Sequence, residues 1–153
     1  MDRKRLLEAA KFLNNLKIPP KAKFKMSTFI EHYGKSEHDD PKKDNFCGTA
    51  ACAMGWLALK GKFGLTISLD VFDNQFEVLS PEGGEGFDAA CEIFGITTEG
   101  ANHLFGGNEK TPPQVAKKIL KFVEVGDKLE AARQVLDDFG NDPVYNDSEE
   151  CDW

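Results

Sequence analysis

The chain has 153 residues, of which 41% are hydrophobic and 29% are charged, and its formal net charge at pH 7 is −7. These totals are typical of a soluble globular protein that can bury a core without disulfides or metal ions. No apolar run approaches the roughly 20 residues needed to span a bilayer, and the N-terminus alternates apolar and charged residues where a secretory signal is uniformly apolar, so the sequence predicts a cytoplasmic protein that does not enter a membrane.

Two helices are predicted in the first part of the chain. Apolar residues at helical spacing predict an amphipathic helix over residues 3–17. It ends before Pro19, because proline disfavours helical geometry in the residue that precedes it. Thr28 and Glu31 have the spacing of a capping box, which predicts a second, short helix ending near Gly34.

The middle of the chain predicts one helix and one β-hairpin. The helix runs from about Gly48 to Lys60. Alternating apolar residues over 65–69 and a second apolar run over 76–79, separated by the turn-forming letters "DNQ", predict two antiparallel strands.

Four further helices are predicted in the second half. Two short ones, "FDAACEIFG" and "TEGANHLFGG", each end at glycine. The third begins at "TPPQ", where Thr111 is the cap, Pro112 takes the first helical position and Gln114 completes a capping box. The fourth, "DKLEAARQVLDDFG", is amphipathic. The sequence therefore predicts a mainly α (α+β) fold of six to seven short helices with one small hairpin, forming a single globular domain over residues 1–140.

The charges are unevenly distributed. Residues 1–45 carry eleven Lys and Arg against seven Asp and Glu, whereas the rest of the chain carries eight against nineteen. Residues 141–153 are predicted to be an acidic C-terminal tail. Because phosphate binding needs clustered basic residues, nucleic acid is not expected as a partner. A partner with a basic surface fits the acidic part of the chain.

The stretch "NFCGTAACAMGWLA" is open to three interpretations, and the first is structural. On a helix, Gly48, Ala51, Cys52, Gly55 and Leu59 share one face of mostly small residues, which lets another element approach closely. Glycine inside a helix costs about 1 kcal/mol relative to alanine, so this interpretation predicts a compensating close contact at Gly55.

The second interpretation is catalytic. Cys47 would lie at the N-terminus of this helix, where the helix dipole lowers the pKa of a thiol. Papain-like hydrolases, including bacteriocin-processing peptidases of the C39 type, place their cysteine in a similar "CG" turn before a small, apolar helix. They also need a histidine on a later strand. Here His103 follows Cys47 in a segment that is predicted to be helical, and His38 precedes Cys47. Either histidine is a candidate for the base.

The third interpretation is a metal site. Cys47 and Cys52 lie on different faces of a helix, and structural zinc sites use pairs of ligands two to four residues apart. Cys91 and Cys151 are isolated in the sequence. We therefore expect reduced thiols, no metal and no cofactor.

Four segments in order, "FKMSTFIEH", "CGTAACAMGW", "FGITTEGANHLF" and "TPPQVAKKILKFV", resemble a family of small proteins encoded by bacteria and their phages. That family has an M-S/T-aromatic segment, a C-G-T-x-x-C-x-x-G-W/H segment, a later "LF" and a closing helix introduced by T-P. The likeness covers about residues 24–124. It implies a single architecture and a bacterial or phage source, and it transfers no site residue, because most members have no established activity.

These observations favour a non-catalytic protein that binds another protein, as an accessory protein or a modulator of a host factor. The candidate binding residues are Cys47, Gly48, Thr49 and Trp56. The alternative is a cysteine hydrolase or transferase with Cys47 as nucleophile and His103 or His38 as base.

Overall fold

The computed structural model describes residues 1–27, 29–32, 49–70 and 75–140. The chain divides into two compact units, Met1–Val123 and Glu124–Trp153. The predicted acidic tail, residues 141–153, lies outside the described residues. Within the described ranges, no helix combines the length and the apolar character needed to cross a membrane.

Helix α1 spans Arg3–Asn15 and confirms the first predicted helix. The Asp2 carboxylate accepts a hydrogen bond from the Arg5 backbone N–H at 3.0 Å, which satisfies one of the free amide groups at the helix start. Leu6, Ala9, Ala10 and Leu13 are buried on one face.

Five short strands form one sheet in the described part of the chain: β1 (Lys23–Phe24), β2 (Ile30–His32), β3 (Thr49–Ala51), β4 (Thr66–Asp70) and β5 (Gln75–Leu79). Their order is β1-β3-β2-β5-β4. β4 and β5 are the predicted hairpin, paired antiparallel from Thr66 opposite Leu79 to Asp70 opposite Gln75. One pair, Ile30 opposite Phe76, joins this hairpin to the other strands.

The prediction of a second helix was wrong. Ile30–His32 is strand β2, which pairs antiparallel with β3. A capping-box pattern is a local signal, and here backbone pairing with a strand distant in sequence overrides it. Thr28, the predicted cap, lies outside the described residues.

The predicted start of the third helix was also wrong. Thr49–Ala51 is strand β3, and helix α2 spans only Ala53–Leu59 with Cys52 as its N-cap. The N-terminus of α2 is therefore not at Cys47, because a strand lies between them. All seven residues of α2 are buried, so the helix is not restricted to one apolar face.

The last three α-helices follow the hairpin. α3 spans Phe87–Phe94 and α4 spans Thr98–Phe105, as predicted. α5 spans Pro112–Gly140, so the last two predicted helices are one. Gly126 lowers helix propensity but does not force an end. The Gln114 side chain accepts the Thr111 N–H at 3.2 Å, which supports the predicted capping box. The described residues thus hold five α-helices, fewer than the six to seven predicted, and the fold is mainly helical.

The core of the first unit is built around α2. Trp56, Phe94 and Phe105 are among its largest fully buried side chains. The rings of Phe94 and Phe105 stack with centroids 5.5 Å apart, and Phe63 meets Phe94 edge-on at 5.6 Å. These aromatic contacts fix α3 and α4 against the segment that follows α2.

The predicted close contact at Gly55 is confirmed. A Cβ atom at this position would collide with the backbone carbonyl oxygen of Phe29, and would lie 2.9 Å from the Cβ of Ala51 and 3.0 Å from Cγ1 of Ile30. The same carbonyl accepts a hydrogen bond from the Cys52 N–H at 3.2 Å. Glycine is required here because the backbone before β2 occupies the space of a side chain.

We predict that Gly55→Ala destabilises the protein by about 3 kcal/mol, because the obstructing atom is a hydrogen-bonded backbone oxygen that has no rotamer to adopt. Urea unfolding, compared at constant m-value, measures the loss. Gly100→Ala is the matched control, because Gly100 is also helical and buried but its nearest neighbour is the ring tip of Phe122, 3.3 Å away.

The free energy of unfolding of Gly100→Ala should lie within about 1 kcal/mol of that of the wild type, because alanine raises helix propensity and the Phe122 ring can shift. Equal effects of the two substitutions would contradict the role assigned to Gly55.

Candidate functional site

A pocket of about 220 Å³ lies beside the N-terminal end of α2. We call it the Cys52 pocket; it is lined by Met26, Ser27, Phe29, Cys52, Phe87, Phe105 and Gly106. Cys52 and Phe105 are almost completely buried, whereas Ser27 and Gly106 are exposed. The pocket therefore opens at Ser27 and Gly106 and has an apolar interior.

The walls of the Cys52 pocket are fixed by contacts between distant segments. The rings of Phe29 and Phe87 meet edge-on with centroids 5.1 Å apart. Gly86 has a φ of 56°, and a Cβ there would lie 3.1 Å from the Phe29 ring. On the other side, the Cys52 N–H holds the Phe29 carbonyl. Phe29 is thus positioned through both its ring and its backbone.

The Cys52 thiol is held in its neutral form. Burial raises the pKa of Cys52 to about 11, outweighing hydrogen bonds from the backbone N–H groups of Gly55 and Met54, which lower it. The sulfur accepts the Gly55 N–H at 3.5 Å and so caps α2. A thiol with a raised pKa is a poor nucleophile. Cys52 therefore acts as a helix cap and an apolar wall of the pocket.

The structure describes two of the four predicted binding residues, and neither lines the Cys52 pocket. Trp56 is completely buried within the core. Thr49 is in β3, where its backbone pairs with His32. Cys47 and Gly48 lie outside the described residues, so their binding role stays a prediction.

The predicted catalytic residues are only partly described. His103 is exposed on α4, with its ring centroid 6.3 Å from that of Phe122. It does not line the Cys52 pocket. Cys47 and His38 lie outside the described residues, so a pairing of Cys47 with either histidine also stays a prediction.

His103 has a charged neighbourhood of its own. Lys118 on α5 donates a hydrogen bond to the Glu109 carboxylate at 2.6 Å. Burial raises the pKa of Glu109. Hydrogen bonds from Lys118 and from the Glu109 backbone lower it, as do the positive charges of Lys118 and His103. Together these outweigh burial, so the pKa of Glu109 lies below its ordinary value. Since Glu109 lies in the segment after α4, this ion pair ties that segment to α5.

Sequence reasoning missed most of the pocket-lining residues. Phe29, Phe87 and Phe105 come from three separate segments, and each reads in the sequence as an ordinary core residue. The one available signal was the small-residue stretch around Gly55, which indicated that another element approaches α2 closely.

Among the described residues, no group of three or more His, Cys, Asp or Glu side chains is arranged to hold a metal ion. Comparison of the chain with protein-family models, with curated proteins and with solved structures finds no match.

We predict that Cys52 reacts with an aromatic disulfide reagent only when the protein unfolds. A variant that keeps Cys52 alone (Cys47→Ser, Cys91→Ser, Cys151→Ser) should show no modification near pH 8 without urea, because its thiolate is roughly a hundredfold scarcer than that of an ordinary cysteine and the sulfur is buried.

A second variant that keeps only Cys91 is the control. The Cys91 side chain is half-buried on α3 and should react in the folded protein. Modification of both variants at the same rate in the absence of urea would contradict the buried, neutral state of Cys52.

Proposed function

We propose that this is a small, non-catalytic binding protein of bacterial or phage origin, and that the Cys52 pocket receives an apolar side chain of a partner protein. The observation that carries the proposal is the pocket itself: a preformed cavity with an aromatic interior and an exposed rim. The origin rests on the resemblance of the four ordered segments to small bacterial and phage proteins.

The size of the pocket supports one apolar side chain as its occupant. An engineered apolar cavity of about 150 Å³ in another protein binds benzene. The Cys52 pocket, at about 220 Å³, has room for an aromatic ring or a branched aliphatic side chain. Anchoring of one such side chain in a desolvated pocket is a common source of affinity in protein interfaces.

The chemistry of the lining also supports binding. Phe29, Phe87 and Phe105 supply apolar contact area, and the neutral Cys52 thiol adds a polarisable wall without a charge. At the rim, the Ser27 hydroxyl can hydrogen-bond to the backbone of a bound segment. Because Phe29 is held at both ring and backbone, little ordering of the walls accompanies binding, which favours affinity.

We predict that Ser27→Trp abolishes binding in this pocket, because an indole at the rim fills the cavity that the partner's side chain would enter. Toluene and indole are the probes, titrated into isotope-labelled protein and followed by NMR. Wild type and the matched control Ser27→Ala should both show saturable shifts at residues of the Cys52 pocket, and Ser27→Trp should show none.

The same three proteins are then immobilised on beads and incubated with bacterial extract. One protein retained near stoichiometry by wild type and Ser27→Ala, and lost with Ser27→Trp, supports the proposal. Equal retention by all three, or no probe binding by the wild type, overturns the role of this pocket.

A further measurement separates the proposal from the cysteine-hydrolase hypothesis. A variant that keeps Cys47 alone is titrated with a thiol reagent across pH. A binding protein predicts a Cys47 pKa near that of free cysteine, about 8.5, whereas a nucleophile activated by histidine predicts a value one or more units lower.

A further inference from the structure

A second concave surface lies along the C-terminal half of α1 and the segment that follows α2. We call it the basic groove; its volume is about 570 Å³, and it shares no lining residue with the Cys52 pocket. Four of its lining residues are lysines (Lys11, Lys17, Lys60 and Lys62), and its one acidic residue is Glu8. In a chain of net charge −7, this is a local concentration of positive charge.

The floor of the basic groove is apolar. Phe12 on α1 and Leu16, the residue that follows this helix, are half-buried and pack against the core. The Lys62 ammonium lies 5.3 Å from the centroid of the Phe12 ring, a cation–π contact that holds this side chain over the groove. A ligand here meets lysine charges at the edges and apolar surface beneath them.

The cations that line the groove are all lysines. Lysine presents a flexible point charge, whereas arginine presents the planar fork that grips a phosphate or carboxylate through two hydrogen bonds. None of the residues that line the groove is an arginine. Lysines on two separate segments provide separate point charges that several carboxylates along an extended chain can contact.

Both α1 and α2 end beside the basic groove. The last turn of a helix carries a partial negative charge on its free carbonyls. In α1 this turn ends at Asn15, next to Leu16 and Lys17. Lys60 is the C-cap residue of α2 and so also lies beside a helix C-terminus, whereas the Lys62 ammonium lies beyond that end and is held over the Phe12 ring.

We propose that the basic groove binds an acidic peptide segment of a partner protein, with carboxylates at Lys60 and Lys62 and interspersed apolar side chains on Phe12 and Leu16. This surface is separate from the Cys52 pocket and goes beyond the function proposed for it. The lysine charges attract the segment, and the apolar floor distinguishes it from a purely polar anion.

The test is fluorescence anisotropy with the full chain and a labelled peptide in which glutamate alternates with leucine. Lys60→Glu/Lys62→Glu should weaken binding by about tenfold or more, because two attractive contacts become repulsive. Lys117→Glu/Lys121→Glu is the matched control: the same charge change on exposed residues of α5 outside the groove. It should change the affinity by less than about threefold.

Two further probes test the chemistry of the ligand. A peptide with every glutamate replaced by glutamine should not bind, and one with every leucine replaced by serine should bind more weakly. Single-stranded DNA and inositol hexakisphosphate should not displace the glutamate–leucine peptide at equal concentration.

Equal weakening by the groove and control variants overturns the proposal, as does displacement by either phosphate compound. Failure of the wild type to bind the glutamate–leucine peptide also overturns it. Ser27→Trp should leave this binding unchanged, so the result is independent of the Cys52 pocket.

Discussion

The first unit depends on one close approach, that of the Phe29 carbonyl to the start of α2. The oxygen accepts the Cys52 N–H and occupies the space of a side chain at Gly55. This contact sets how near the backbone before β2 comes to the helix. It also positions the Phe29 ring, which forms a wall of the Cys52 pocket against Phe87. A larger residue at position 55 would disturb the packing and the pocket together.

The burial that shapes the Cys52 pocket also determines its chemistry. Cys52 caps α2 and lines the cavity, but desolvation raises the pKa of its thiol to about 11. The pocket consequently offers shape and apolar contact, and the one described cysteine that faces it is not activated. The basic groove differs from the pocket in that most of its charged side chains are exposed to solvent. The two surfaces therefore differ in kind: the Cys52 pocket is a small apolar cavity, and the basic groove is a charged surface.

The net charge of the chain does not show the local excess of positive charge at the basic groove. The chain is acidic as a whole, which favours a basic partner, yet α1 and the segment after α2 bring four lysines to one groove. Lys11 and Lys17 are distant in sequence from Lys60 and Lys62, so no local run of basic residues marks the groove. Electrostatic attraction between exposed charges acts over about 10 Å at moderate ionic strength, so the proposal for the basic groove depends on its local charge and not on the net charge of the chain.

The sequence by itself determined the elements whose signals are local. Periodicity and caps placed α1, α3, α4 and the β4–β5 hairpin, and the glycine at position 55 indicated a close contact. Tertiary structure decided the rest. Ile30–His32 became a strand because it pairs with β3, and Cys52 became the start of α2 because Thr49–Ala51 joins the sheet. The Cys52 pocket depends on three phenylalanines from separate segments, and the basic groove on lysines from two. Such groupings are absent from local patterns because they form only when distant backbone segments pack together.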